Sequence, residues 1–122
     1  MLRSMFQVFV ARSVEAAEFY QRAFNAELLC AYYNDDGTIA HAELDVFGQI
    51  LALSEAPIKT PSTGDTMMFC LHLGEGNAEQ VYKCYEVLKE GASPHEPPGD
   101  SGYSRHNFAL VDRFGVWWCV FE

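Results

Sequence analysis

His41 and Glu43 stand two residues apart in the run 39–47, so in an extended strand both side chains leave the same face. At a rise of roughly 3.3 Å per residue they would lie about 7 Å apart along it. A carboxylate beside an imidazole raises its basicity, and such a pair can supply a general base. The same two residues also fit a solvated strand face with a cross-strand charge pair, and the sequence leaves both readings open. Cys70 and His72 repeat the spacing in a second run, 67–73. A thiol is a nucleophile only where a neighbour lowers its pKa, and His72 is the activator visible here. The plainer alternative is a cysteine that lines a face as a small hydrophobe, which also covers Cys119. Arg105 and His106 follow a Pro/Gly-rich stretch and could meet an anionic ligand, or simply begin a strand.

The elements that must hold these residues form one pattern used twice: strand, helix, then a short antiparallel run of strands. In the first copy, Phe6, Val8 and Val10 mark a strand. Ser13 offers an N-cap oxygen, and Val14, Ala17, Tyr20, Ala23 and Phe24 give an apolar stripe at helical spacing. Asn25 suits a left-handed C-terminal residue. Strands follow over 27–33, 39–47 and 50–53, with turns at Asp35-Asp36-Gly37-Thr38 and at Gly48. In the second copy, strand 67–73 leads to a helix capped by Asn77, with Gln80 three residues on as in a capping box. Its apolar stripe is Ala78, Val81, Tyr82, Tyr85 and Leu88, and Gly91 stops it. A loop rich in Pro and Gly then gives way to strands 107–111 and 116–121, joined by a tight turn that Asp112 and Gly115 would hold. The copies span about 1–56 and 66–122, with 57–65 as a linker containing Pro57, Pro61 and Gly64.

Composition narrows the function classes. The 122 residues are 49% hydrophobic and 14% aromatic, enough for an ordinary globular core. A net charge of −9 argues against nucleic acid and anionic membranes, which select clustered Lys and Arg. No apolar run approaches the roughly 20 residues of a membrane span, and the N-terminal stretch does not read as a signal peptide. Cys30, Cys70, Cys84 and Cys119 lack C-x-x-C spacing, so the expectation is free thiols in a cytoplasmic protein.

Val14-Glu15-Ala16-Ala17-Glu18-Phe19-Tyr20, followed by Phe24-Asn25-Ala26-Glu27, resembles the first helix of the vicinal oxygen chelate superfamily. That group includes glyoxalase I, extradiol dioxygenases and bleomycin-resistance proteins. His41-Ala42-Glu43-Leu44, Leu53-Ser54-Glu55 and the ending Asp112-Arg113-Phe114-Gly115-Val116-Trp117-Trp118 look more narrowly like its PhnB-like branch. Members of that branch often carry the label 3-demethylubiquinone-9 3-methyltransferase. Methyl transfer generally needs a Gly-rich strand-to-helix turn, whereas here the first strand runs into Ala11-Arg12-Ser13. The resemblance covers nearly the whole chain and implies an α+β fold of two βαβββ modules, forming curved mixed sheets around a cleft, usually as a homodimer.

Metal-dependent members place four His or Glu ligands in the cleft. Carried over residue by residue, those positions fall on Met5, Ala52, Met68 and Cys119, which do not make a site for a hard divalent ion. The expectation is therefore no metal and no cofactor. Strand alternation turns Gln7, Phe9, Cys70, His72, Trp117 and Cys119 toward the same concave side, with Met67, Phe69, Leu71 and Leu73 beneath the helices. Together with Arg105, these make a site for a small, partly aromatic molecule. His41, Glu43 and His72 remain as weak catalytic candidates for a rival reading, a lyase or isomerase of glyoxalase type. A drug-sequestering resistance protein is the third reading.

Overall fold

Each half of the chain builds its own helix-covered sheet in a computed structural model that describes residues 2–122. The two compact units are Met1–Pro61 and Ser62–Glu122.

The first unit runs β1 (Phe6–Val10), α1 (Ser13–Phe24), β2 (Glu27–Tyr33), β3 (Ile39–Val46) and β4 (Gln49–Glu55). The strand order is β1-β4-β3-β2, with β1 parallel to β4 and the other pairs antiparallel. α1 covers one face and buries Phe19, Tyr20 and Phe24 against Leu44, Leu51 and Leu53. Two details of the expected helix are corrected. Val14 is exposed, and Ala16 and Phe19 take the buried face instead. Ser13 is not the cap: Arg12 holds that position in a left-handed conformation (φ 55°), and Ser13 is the first, fully buried helical residue. The helix start is capped from a distance. Glu55 accepts from the Arg12 and Ser13 backbone N–H groups at 3.2 and 2.9 Å and from the Ser13 hydroxyl at 2.7 Å. The parallel register Val10↔Glu55 is what brings that carboxylate to the end of β1. The Ser13 Oγ in turn accepts the Ile39 N–H at 2.8 Å, which ties α1 to β3.

Asn25 closes α1 in the left-handed region, as its type suggested (φ 48°). The β3–β4 hairpin turns on Phe47-Gly48, both with positive φ (52° and 87°). That is the twist a two-residue hairpin loop needs, and Asp45 accepts the Gly48 N–H at 2.7 Å.

The second unit runs β5 (Phe69–His72), α2 (Ala78–Leu88), β6 (Asn107–Val111) and β7 (Trp117–Phe121), in the order β5-β7-β6. Among the described residues this sheet has three strands. Where the first unit has β2, the segment before β6 contributes only a bridge between Gly99 and Asn107. The module is thus one strand short of βαβββ. The expected capping box does not form: the Asn77 amide donates to the Leu73 carbonyl at 2.7 Å, and α2 starts without a side-chain cap. In the helix stripe, Tyr82 is exposed and Cys84 takes its place beside Val81, Tyr85 and Leu88. The β6–β7 turn is held as its residues indicated. Asp112 Oδ1 accepts the Phe114 and Val116 N–H groups at 2.8 and 3.1 Å, and Oδ2 accepts the Trp118 indole N–H at 2.9 Å.

Candidate functional site

Each sheet has a face that its own helix does not cover, and the candidate residues sort onto those faces. On β7, Trp118 and Val120 are buried beneath α2, with Trp118 edge-on to Phe69 at 5.4 Å. The opposite parity carries Trp117, Cys119 and Phe121. The register Cys70↔Cys119 and His72↔Phe121 puts β5's Cys70 and His72 beside them. His72 stacks on Phe121 at 4.6 Å, and Tyr103 meets the same ring edge-on at 5.2 Å.

Cys119 is the buried centre of this face, 4% exposed, whereas Cys70 is exposed. The Asn107 amide donates to the Cys119 sulfur at 3.2 Å and to the Tyr103 hydroxyl at 3.0 Å. That hydroxyl lies 3.8 Å from the same sulfur. Burial, with Cys119 beside it, pushes the Cys70 thiol above its ordinary range, and the contact with Cys119 raises the Tyr103 phenol. Both therefore stay protonated at neutral pH, and the face they line is sulfur-rich and aromatic. Arg105 is exposed on the loop before β6, and Trp117 is half-buried on the Cys119 side of β7.

On the first sheet the open face carries Gln7, Phe9, Ala52, Ser54, His41 and Glu43. The pairings Gln7↔Ala52↔Glu43 and Phe9↔Ser54 set them in rows. Gln7 donates to the Ser54 hydroxyl at 3.0 Å, and Phe9 is 62% exposed. His41 and Glu43 do meet: His41 Nε2 lies 2.8 Å from Glu43 Oε2. A third partner changes what the pair can do. Arg3 donates to both carboxylate oxygens, at 2.7 and 3.0 Å, and Glu43 is 5% exposed. Those bonds, then the one from His41, hold the Glu43 carboxyl at about 2. A carboxylate so firmly ionised is a poor proton acceptor, and it holds the His41 ring through Nε2.

Arg3, Ser54, Asn107 and Tyr103 belong to these faces and were not singled out from sequence. Arg3 has the parity of Met5, Gln7 and Phe9, and Asn107 that of Ala109 and Val111, so alternation could have found both. Tyr103 lies in a loop, where no periodicity places it. The second unit also holds a cavity of about 440 Å³ between the 94–101 segment and β6, lined by His95, Glu96, Asp100 and Asn107 among others.

The sequence profile of the Glyoxalase/Bleomycin resistance protein/Dioxygenase superfamily matches residues 4–120. The chain belongs to this superfamily. Among solved structures it is similar to a PhnB protein from Bacillus cereus, at 20% identity, 98% coverage of both chains and a TM-score of 0.79. A possible glyoxalase from Bacillus cereus is 25% identical over 100% of this chain and 99% of that one, with a TM-score of 0.69. The fosfomycin resistance protein FosX from Listeria monocytogenes is 14% identical over 99% and 94%, with a TM-score of 0.70. A variant of that FosX is known in complex with Mn(II) and 1S,2S-dihydroxypropylphosphonic acid. No curated protein matches the chain significantly.

Membership raises the question of a metal. The positions that the resemblance assigns to ligands hold a half-buried Met5, a fully buried Ala52, a half-buried Met68 and the buried Cys119. A thioether pair, a methyl and one thiol do not fit a hard divalent ion, which takes carboxylate oxygen or imidazole nitrogen. Among the described residues no group of three or more His, Cys, Asp or Glu side chains converges as a metal site. The residues present do not fit the superfamily's metal. No helix among the described residues is long and apolar enough to cross a membrane.

Proposed function

We propose that this superfamily member binds a small, partly aromatic molecule on the open face of its second sheet and does so without a metal. The observation that carries the reading is the chemistry of the second sheet's open face. His72 stacks on Phe121, Tyr103 meets that ring edge-on and also reaches the Cys119 sulfur, and the Asn107 amide adds a polar group to both. Aromatic surface with a few placed hydrogen-bonding groups suits a flat ligand held by stacking and one or two directional bonds. Gln7 and Phe9 offer an amide and an aromatic ring on the open face of the first sheet, a second candidate surface of the same kind. Arg105 would meet an anionic substituent. The protein acts as a homodimer in the cytoplasm, a reading supported by the exposed Leu28, Leu29, Tyr32 and Tyr33 of the edge strand β2 and by four free cysteines.

A fluorescence screen of aromatic small molecules tests the binding reading. Trp117→Ala and Tyr103→Ala should each weaken the best ligand about tenfold, the scale of one lost aromatic contact of roughly 1.4 kcal/mol. Unchanged affinity in both variants would refute the site. The runner-up, acid–base chemistry of lyase or isomerase type, is favoured by one observation: Glu43 fixes His41 through Nε2, so the other ring nitrogen could act as base. Loss of turnover in His41→Gln, with ligand affinity kept, would select that reading over binding alone. Sequestration of a drug-like molecule needs no such residue and would leave His41→Gln without effect.

A further inference from the structure

Two of the four free cysteines stand side by side. Cys70 on β5 and Cys119 on β7 are direct partners in a parallel register, so both side chains leave the same face. Paired strands lie about 4.8 Å apart, inside the roughly 4.4–6.8 Å Cα range that a disulfide spans. Cys119 lies close enough to help raise the Cys70 thiol, whereas Cys84 sits on the buried face of α2 and Cys30 on β2 of the other unit. Accessibility is graded across the pair, with Cys70 exposed and Cys119 buried behind it.

We propose that Cys70 and Cys119 form a reversible dithiol–disulfide site, oxidised by exchange with a low-molecular-weight disulfide such as glutathione disulfide. Cys70 attacks one sulfur of the incoming disulfide through the small fraction of thiolate that its raised thiol leaves at neutral pH. A mixed disulfide forms, and one thiol of the reagent leaves with the proton released from Cys70. Cys119 then attacks the Cys70 sulfur, its proton going to the second reagent thiol as that leaves. The protein loses two hydrogens and two electrons, and the reagent is reduced to two thiols. The order follows from exposure, since a reagent reaches Cys70 and not Cys119. Asn107 Nδ2 and the Tyr103 hydroxyl, both already on the Cys119 sulfur, are placed to stabilise its thiolate as it attacks.

Oxidation would alter the centre of the aromatic face. Asn107 and Tyr103 would lose a thiol and gain a weaker sulfur acceptor. The proposal stands independently of whether that face holds a ligand.

The test incubates the full chain with glutathione disulfide, quenches with an alkylating agent, and maps the peptides by mass. The expected result is a Cys70–Cys119 link, with Cys30 and Cys84 alkylated, and a fall from four titratable thiols to two that dithiothreitol reverses. Cys119→Ser should instead stop at a glutathione mixed disulfide on Cys70. Wild-type protein that accumulates that mixed disulfide, with Cys119 alkylated, would overturn the proposal. So would linkage of Cys70 to Cys30 at equal yield. The wild-type map needs no variant to fold, so a misfolded Cys119→Ser would not protect the idea.

Discussion

Replacing Trp118 and Trp117 one at a time should separate two adjacent residues of one type by their stability cost. Trp118 is 1% exposed, packs edge-on against Phe69, and gives its indole N–H to Asp112 at 2.9 Å. Trp118→Ala removes a fully buried aromatic and should cost about 3–5 kcal/mol. For a chain of this size each kcal/mol moves the melting temperature by about 3–5 °C, so the expected fall is roughly 9–25 °C. Trp118→Phe keeps a ring against Phe69 and loses the bond to Asp112, for about 1–2 kcal/mol. Trp117 is half-buried on the opposite parity, and Trp117→Ala should cost only about 1 kcal/mol. Differential scanning calorimetry of the three variants reads the order directly. If Trp117→Ala falls as far as Trp118→Ala, the faces of β7 are reversed, and the site built on Trp117 and Cys119 goes with them.

Other outcomes follow from the same geometry. Glu43 and Glu55 both sit at about 2 against an ordinary 4.5, Glu43 through Arg3 and then His41. Burial alone would raise Glu55, but hydrogen bonds from Lys59 and Ser13 outweigh it. A carboxyl depressed on folding stabilises fully above about pH 5, and that contribution disappears as the pH falls toward 2. Chemical denaturation should therefore show Glu43→Gln and Glu55→Gln below wild type at neutral pH and converging with it in acid; a gap that widens in acid would contradict this. Glu55→Ala should also cost about 1–2 kcal/mol at pH 7 through the lost α1 cap, and a neutral effect would mean that cap is idle. Elemental analysis of protein purified without chelator should find well under one equivalent of zinc, nickel, manganese or iron; a stoichiometric metal ion bound by side chains would move the reading to a metalloenzyme. Light scattering at tens of micromolar should give twice the monomer mass, and a monomer would remove the dimer.

Alternation of side chains along a strand is a local property, and it is why so much of both open faces could be read without coordinates. Leu71 is buried and its neighbours Cys70 and His72 are exposed because a β-strand turns successive side chains to opposite sides. The same rule separated Trp117 from Trp118. The β6–β7 turn was legible because Asp112 reaches acceptor distance of N–H groups only two and four residues on. The tertiary structure decided whatever depended on register between distant segments. Arg3 meets Glu43 across 40 residues, and Glu55 meets Ser13 across 42. Neither contact leaves a periodic trace, because each arises from which strands pair and at what offset. Arg3 clamps the carboxylate that the sequence sets beside His41, and Glu55 takes over the cap expected of Ser13. The strand missing from the second unit has the same origin. The 94–106 segment carries Pro94, Pro97 and Pro98, which lack the N–H donors of a strand ladder, but only the folded sheet shows that its pairing with β6 stops at Gly99 and Asn107. Local chemistry chose the faces, and long-range register chose which groups meet on them.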